Sequence, residues 1–171
     1  MIKKILLALT IMVSPFLSGN IQAQDGPLTL KSITNGSFGA HGIYGVNPLP
    51  DGESYSQLVD GKRIVVSSFK TGEQTGVLFD VENTKGKVKL SRIDGYTLSP
   101  NQKNILLRTQ TQSIYRHSTT AVYYIYNVQN RTIEPLSDGG PQECPLWSND
   151  GNLVAFVREG NLFLVKLLFN N

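Results

Sequence analysis

Beyond residue 24 the apolar positions fall in short runs or alternate with polar ones, and glycine-containing turns punctuate them. Alternation over about four to eight residues marks a strand with one buried face, whereas an amphipathic helix repeats every three to four residues. Almost nothing here reads as helix. The pattern predicts strands at Lys62 to Phe69, Gly76 to Val81, Ile105 to Thr109, Thr120 to Tyr126, Thr132 to Leu136, Leu153 to Val157 and Leu162 to Lys166. Between them lie Asp51-Gly52, Asp60-Gly61, Thr71-Gly72, Asp138-Gly139-Gly140, Asp150-Gly151 and Glu159-Gly160, residue pairs suited to tight hairpin turns.

Three of the turns share a pattern and a spacing. LPDG at 49–52, LSPNQ at 98–102 and WSNDG at 147–151 each precede a short apolar strand, and Pro50, Pro100 and Asn149 stand 50 and 49 residues apart. That period suits one four-stranded propeller blade and is far too long for a single hairpin. A non-repetitive β-sandwich with similar turns by chance is the other reading. The expected fold class is therefore all-β, an incomplete propeller of about two to three four-stranded blades. Blades bury their faces on their neighbours, and NLFLVKLLFNN runs apolar into the terminus with no capping turn, so the chain is expected to stop within a blade.

The first residues change the picture of the whole. Lys3 and Lys4 precede an apolar run from Ile5 to Leu17, followed by a polar tract ending in Ile21-Gln22-Ala23, the layout of a signal peptide. Its 13 apolar-run residues fall short of the roughly 20 a membrane-spanning helix needs. The expected organisation is a signal peptide at 1–23, a partial amino-terminal propeller at 24–171, and export to the periplasm, cell surface or medium, with no membrane association after cleavage. Removing Lys3 and Lys4 leaves 14 basic side chains against 13 acidic ones, so the basic character gives no support to a nucleic-acid partner. Cys144 is the one cysteine, which excludes an internal disulfide. Lys85, Lys87 and Lys89 alternate with Gly86 and Val88; on a strand they would share one face and form a solvated edge that repels other strands.

Catalytic chemistry is sparse. An α/β-hydrolase nucleophile needs G-x-S-x-G on a strand-to-helix turn, and that pattern does not occur. Ser37 lies near His41 and Ser118 near His117, but neither pair has an evident acidic partner, so neither reads as a nucleophile and base. Two histidines and one cysteine, far apart, give no zinc site, and no metal or cofactor is expected. Gly36, Gly39, Gly42 and Gly45 recur every third residue without the strand-to-helix context of a phosphate loop, and read as a connecting loop. Asn35-Gly36-Ser37 and Asn130-Arg131-Thr132 fit the glycosylation acceptor pattern, which matters only in a eukaryotic source.

The densest aromatic stretch is IYRHSTTAVYYIYN. Ala121, Tyr123 and Ile125 alternate with Val122, Tyr124 and Tyr126, so both faces of this strand are apolar or aromatic, as in an inner strand packed between two blades. Arg116 stands at its edge. By chemistry alone it reads first as a structural salt-bridge residue, and second as a donor to a ligand carbonyl or carboxylate through its planar fork.

Taken together, GYTLSPNQKNILLRTQTQSIYRHSTTAVYYIYNVQNRTIEPL and LWSNDGNLVAFVREGNLFLVK resemble the opening of the dipeptidyl peptidase IV family, especially its bacterial exported members. The resemblance covers roughly Leu28 to Lys166 and is weaker in the first third, at LKSITNGSF and LPDGESY. It implies an eight-bladed propeller covering an α/β-hydrolase domain, a serine exopeptidase that releases dipeptides, often ending in proline, and a tendency to homodimerise. It implies that Arg116, the arginine of the R-H-S motif, hydrogen-bonds a backbone carbonyl of bound peptide, with His117 beside it as a weaker substrate-binding candidate. That implication reverses the salt-bridge preference. The family's D-W-x-Y-E-E stretch, whose glutamates hold the substrate ammonium, and its serine, aspartate and histidine do not occur in this chain. The expectation is an amino-terminal propeller fragment, from a truncated or split gene, with no catalytic residue of its own and peptide substrate bound only as part of a full-length enzyme. A stand-alone exported module that binds peptide or protein, and an unrelated β-repeat protein, are the alternatives.

Overall fold

The computed structural model describes residues 29–37 and 44–167. The predicted signal peptide, His41, Gly39 and Gly42 lie outside the described residues. The chain divides into two units, Met1–Gly42 and Ile43–Asn171. In the first, helix α1 spans Leu30–Thr34. A reciprocal cap starts it: the Thr29 hydroxyl accepts the Ser32 N–H at 3.1 Å, and the Ser32 hydroxyl accepts the Thr29 N–H at 3.0 Å. Five residues are too few to show a helical period, which is why the hydrophobic pattern gives no sign of it.

The second unit is built of antiparallel sheets. The first holds β1 (Asn47–Pro48), β2 (Ser54–Val59), β3 (Arg63–Ser68) and β4 (Gln74–Asp80). The second holds β5 (Gly95–Leu98), β6 (Asn104–Tyr115), β7 (Ser118–Asn127) and β8 (Thr132–Pro135), and the third β9 (Glu143–Trp147), β10 (Leu153–Arg158) and β11 (Asn161–Lys166). In each sheet every strand pairs with its neighbour in sequence. The seven expected strands are present, with ends shifted by no more than two residues except that β6 runs six residues past its expected end at Thr109. Four were not anticipated: β1 is two residues long, β2 reads SYSQLV with little apolar alternation, β5 has four residues, and β9 contains Pro145.

Each sheet passes from its first to its second strand through the same corner. Leu49, Ser99 and Ser148 donate their N–H to the carbonyls of Ser54, Asn104 and Leu153, all at 2.9 Å. The same three residues accept from Gly52, Gln102 and Gly151, which have φ of 71°, 57° and 71°. The 50- and 49-residue spacing is thus a repeat in space. Side-chain bonds between sheets also join residues one period apart. Asn47 Nδ2 donates to the Tyr96 hydroxyl at 2.9 Å, Trp147 Nε1 to the Thr97 carbonyl at 3.4 Å, and Asn101 Nδ2 to the Asp150 carbonyl at 2.9 Å.

Two apolar clusters form the core, one on either side of the middle sheet. Ile105, Leu107 and Tyr126 pack with Ile64 and Phe79 of the first sheet, while Leu106, Ala121, Tyr123 and Ile125 pack with Val154 and Phe156 of the third. Consecutive residues of β6 and β7 therefore enter opposite clusters, as the aromatic alternation of β7 predicts. Phe79 meets Tyr126 edge-on at 5.0 Å, and Phe156 stacks on Phe163 at 5.3 Å. Buried Gln142 ties the third sheet's approach to β7: its Oε1 accepts the Tyr123 N–H at 2.9 Å, and its backbone exchanges both bonds with Ala121.

The Lys85 to Lys89 stretch is not a strand. Val81–Asn83 make one 3-10 turn, and the residues after it form a loop with a single parallel bridge from Lys85 to Thr132. Val88 alone of these residues packs on the first core cluster, and Gly86 at φ 100° breaks the extension. The Lys89 ammonium turns back onto the Thr84 carbonyl. The three sheets do not close a ring. Leu146, Leu162 and Leu164 on the far side of the third sheet are exposed. No helix among the described residues is long and apolar enough to cross a membrane.

Candidate functional site

Strand β6 changes character part-way. Asn104 to Thr109 lie largely within the core, whereas Gln110 to Tyr115 are exposed. The change coincides with a register shift against β7 after Thr109, and with Gln110 at φ 51°. An extra residue of this kind bends a strand and re-aims its outer half. Asp94, just before β5, pins the bend by accepting the Thr111 N–H at 2.9 Å through Oδ2. That bond, helped by nearby Arg92 and Arg108, outweighs partial burial and holds the Asp94 carboxyl below its ordinary value.

Past the bend, Gln112 pairs with Thr120, Ser113 with Thr119 and Tyr115 with Ser118. Arg116 and His117 form the turn at the tip, and both are exposed. Arg116 makes no ion pair among the described residues; the pair found there is Arg92 Nε to Asp94 Oδ1 at 3.9 Å. Among the described residues no carboxylate lies within ion-pair distance of Arg116, and the arm carries it away from the sheet. Ile114 and Tyr115 beside it are 55% and 71% exposed. The tip thus offers a five-donor cation next to an aromatic ring and an aliphatic chain, a combination able to hold a peptide backbone by its carbonyl and a side chain by contact.

Other candidates are not assembled. His117 on the turn and Ser118 at the start of β7 are neighbours with no acidic partner bonded to either among the described residues. Ser37 Oγ donates to Asn35 Oδ1 at 2.5 Å, and His41 lies outside the described residues. Among the described residues no group of three or more His, Cys, Asp or Glu is placed to hold a metal.

The family described as dipeptidyl peptidase IV (DPP IV) N-terminal region matches residues 99–171. The sheets correspond to a solved fold: the crystal structure of Porphyromonas gingivalis dipeptidyl peptidase 4 aligns over 83% of this chain with a TM-score of 0.72 and 37% identity. The chain carries a dipeptidyl peptidase IV-like amino-terminal region. The probable dipeptidyl-aminopeptidase B of Talaromyces stipitatus is 32% identical over 157 residues, and that of Emericella nidulans 33% identical over 162. Each alignment covers 82% of this chain. This chain spans 17% of the length of those relatives and 20% of the bacterial structure.

Within this dipeptidyl peptidase IV-like region the two residues singled out in sequence, Arg116 and His117, sit on one turn. The residues that aim the turn escaped notice. Asp94 and Gln110 belong to no motif, and their role depends on a bulge that hydrophobic pattern does not show. One signal was available: Asp94-Gly95 is a turn-type pair at the start of a strand.

Proposed function

We propose that this chain is the substrate-orienting propeller part of a dipeptidyl peptidase IV-like serine exopeptidase that releases X-Pro dipeptides. Arg116 donates to a backbone carbonyl of the peptide, and His117 borders the same contact. The observation that carries this reading is the placement of the R-H-S residues on an exposed, bulge-directed arm, with the guanidinium in no ion pair among the described residues. Hydrolysis is assigned to the assembled enzyme and not to these residues alone, since the sequence holds neither G-x-S-x-G nor D-W-x-Y-E-E. Export rests on Lys3, Lys4 and the apolar run after them. Homodimerisation of the assembled enzyme rests on the same resemblance.

The test uses the full-length enzyme that carries this region, assayed with a Gly-Pro-initiated peptide with a free amino terminus. There Arg116→Ala is expected to lower kcat/KM about tenfold or more, as loss of one charge-assisted hydrogen bond does, with the melting temperature unchanged. Equal kcat/KM of variant and parent overturns the assignment. A chromogenic Gly-Pro amide should remain uncleaved by the chain, and turnover above background would show catalytic chemistry within it. Mass spectrometry of the exported product should find Gln24 at the amino terminus.

A second reading, a stand-alone module that binds peptide or protein, is favoured by the exposed Leu146, Leu162 and Leu164 on one sheet face. It predicts that peptide binding survives Arg116→Ala and is lost on replacing these leucines.

A further inference from the structure

The three sheets meet at their first strands, and a cavity of about 320 Å³ opens there, bordered by Leu106 and Tyr123 of the second core cluster. Leu58, Leu106 and Pro145 form its apolar walls, and Asn47, Arg108 and Tyr123 bring polar atoms to it. Its size is at the lower end of small-molecule sites.

Arg108 is the unusual member. It pairs across β5 and β6 with Gly95, and a Cβ at Gly95 would stand 2.8 Å from Arg108 Nη2. The absence of a side chain there is what lets the guanidinium lie over β5. Its Nη2 reaches the Asp94 carbonyl only at 3.5 Å, the outer limit of a hydrogen bond. Its Nε is buried and has no partner, the sole such side-chain atom among the described residues. Among the described residues no carboxylate comes within ion-pair distance of it. Asp94 is engaged by Thr111 N–H and Arg92 instead. A buried, unpartnered N–H on a cation is costly, and few natural structures leave one without a counterpart.

We propose that Arg108, seated on Gly95, is the anchor of a binding site for a small monoanionic carboxylate with a short apolar body. The guanidinium edge matches a carboxylate in two parallel hydrogen bonds, and a small turn of the side chain off Gly95 lets the buried Nε supply one of them. Leu58, Leu106 and Pro145 take the apolar body. Arg92 pairs with Asp94 at 3.9 Å, which leaves Arg108 to balance one negative charge, and the Asp94 carboxylate on the same cavity wall disfavours a dianion such as phosphate. This site lies on the body of β6 and does not depend on the reading of Arg116 at the tip of the arm.

The test is calorimetric titration of the whole chain with N-acetylleucine, its uncharged amide and inorganic phosphate. The acid is expected to bind saturably, and the amide and phosphate at least tenfold more weakly. Arg108→Gln should weaken binding of the acid by tenfold or more. Equal affinity for acid and amide overturns the proposal, as does the absence of acid binding by the parent chain. Because these two results use the parent chain, they decide the matter even if Arg108→Gln fails to fold. Unaltered acid binding by a folded Arg108→Gln chain overturns it equally.

Discussion

The middle sheet and the third sheet are made from similar strands, yet only the middle one is covered on both faces. Along β6, Ile105 and Leu107 are fully buried on one side and Leu106 is 2% exposed on the other. Along β11, Phe163 and Val165 pack against the second cluster while Leu162 and Leu164 are 76% and 65% exposed. Leu146 and Leu164 both pair with Ala155, so these side chains form a continuous row on the uncovered face. Chemically equivalent leucines thus differ in what they contribute because of which sheet stands opposite. In a repeat architecture stability lies at the interfaces as much as within the units.

The largest expected effect tests that difference. Ile105→Ala and Leu106→Ala, which open cavities on opposite faces of one strand, should each destabilise by about 2–5 kcal/mol. Leu162→Ala and Leu164→Ala should each stay within about 0.5 kcal/mol, as exposed substitutions do. Urea midpoints of the four variants read the contrast directly. A large loss at Leu164 would mean that the row is covered in solution. Sharing of the burden by the two clusters would fail if Ile105→Ala were severe and Leu106→Ala mild.

The contrast was half legible in the sequence. The alternation of Ala121, Tyr123 and Ile125 with Val122, Tyr124 and Tyr126 pointed to a strand packed on both sides, and Tyr123 and Tyr126 do enter opposite clusters. The repeat was legible because its corner depends on residues with few substitutes, an Asp or Asn two places after the first corner residue. The arm of β6 was not legible. Thr109-Gln110-Thr111-Gln112-Ser113 has no apolar alternation, since a two-stranded arm standing off the core has no face to bury. Arg116 was found by motif, whereas Asp94, which orients its arm, acts through one backbone N–H and leaves no trace in hydrophobic pattern. Arg108 was unreadable for a related reason: its environment is made by a glycine on the paired strand.

The corners offer the next comparison, because they share a backbone and differ in surroundings. A Cβ at Gly52 meets nothing within 4 Å, so Gly52→Ala should lose only the left-handed strain, about 1 kcal/mol. At Gly151 the same Cβ would stand 2.7 Å from Asn101 Nδ2. Asn101 cannot yield freely, since it bonds the Asp150 carbonyl and accepts from Lys103 N–H and the Ser99 hydroxyl. Gly151→Ala should therefore cost about 3 kcal/mol, strain and overpacking together. Gln102 already carries that strain at φ 57°, so Gln102→Gly should gain about 0.5 kcal/mol after the added freedom of the unfolded chain is deducted. Thermal melts that rank the three otherwise would break the equivalence of the corners.

The smallest expected effect is electrostatic and lies at the same corners. Asp150 accepts from the Ser148 hydroxyl and from Asn152 N–H, and these bonds lower its carboxyl from the ordinary value of 3.8 to about 2. Asp51 is lowered in the first corner by Ser54 and Glu53 N–H groups. The middle corner has Asn101 in this position and no charge to titrate. A carboxyl lowered in the folded state binds its proton less readily than in the unfolded chain, so its contribution is complete above about pH 4 and fades as pH falls through 2. The melting temperature of the parent chain should therefore decline over that interval, and Asp150→Asn, which copies the middle corner, should decline less. Both groups are at the surface, so the difference should be small and shrink further in salt. Parallel pH profiles for parent and variant would show that the third corner, like the second, draws its stability from geometry and not from charge.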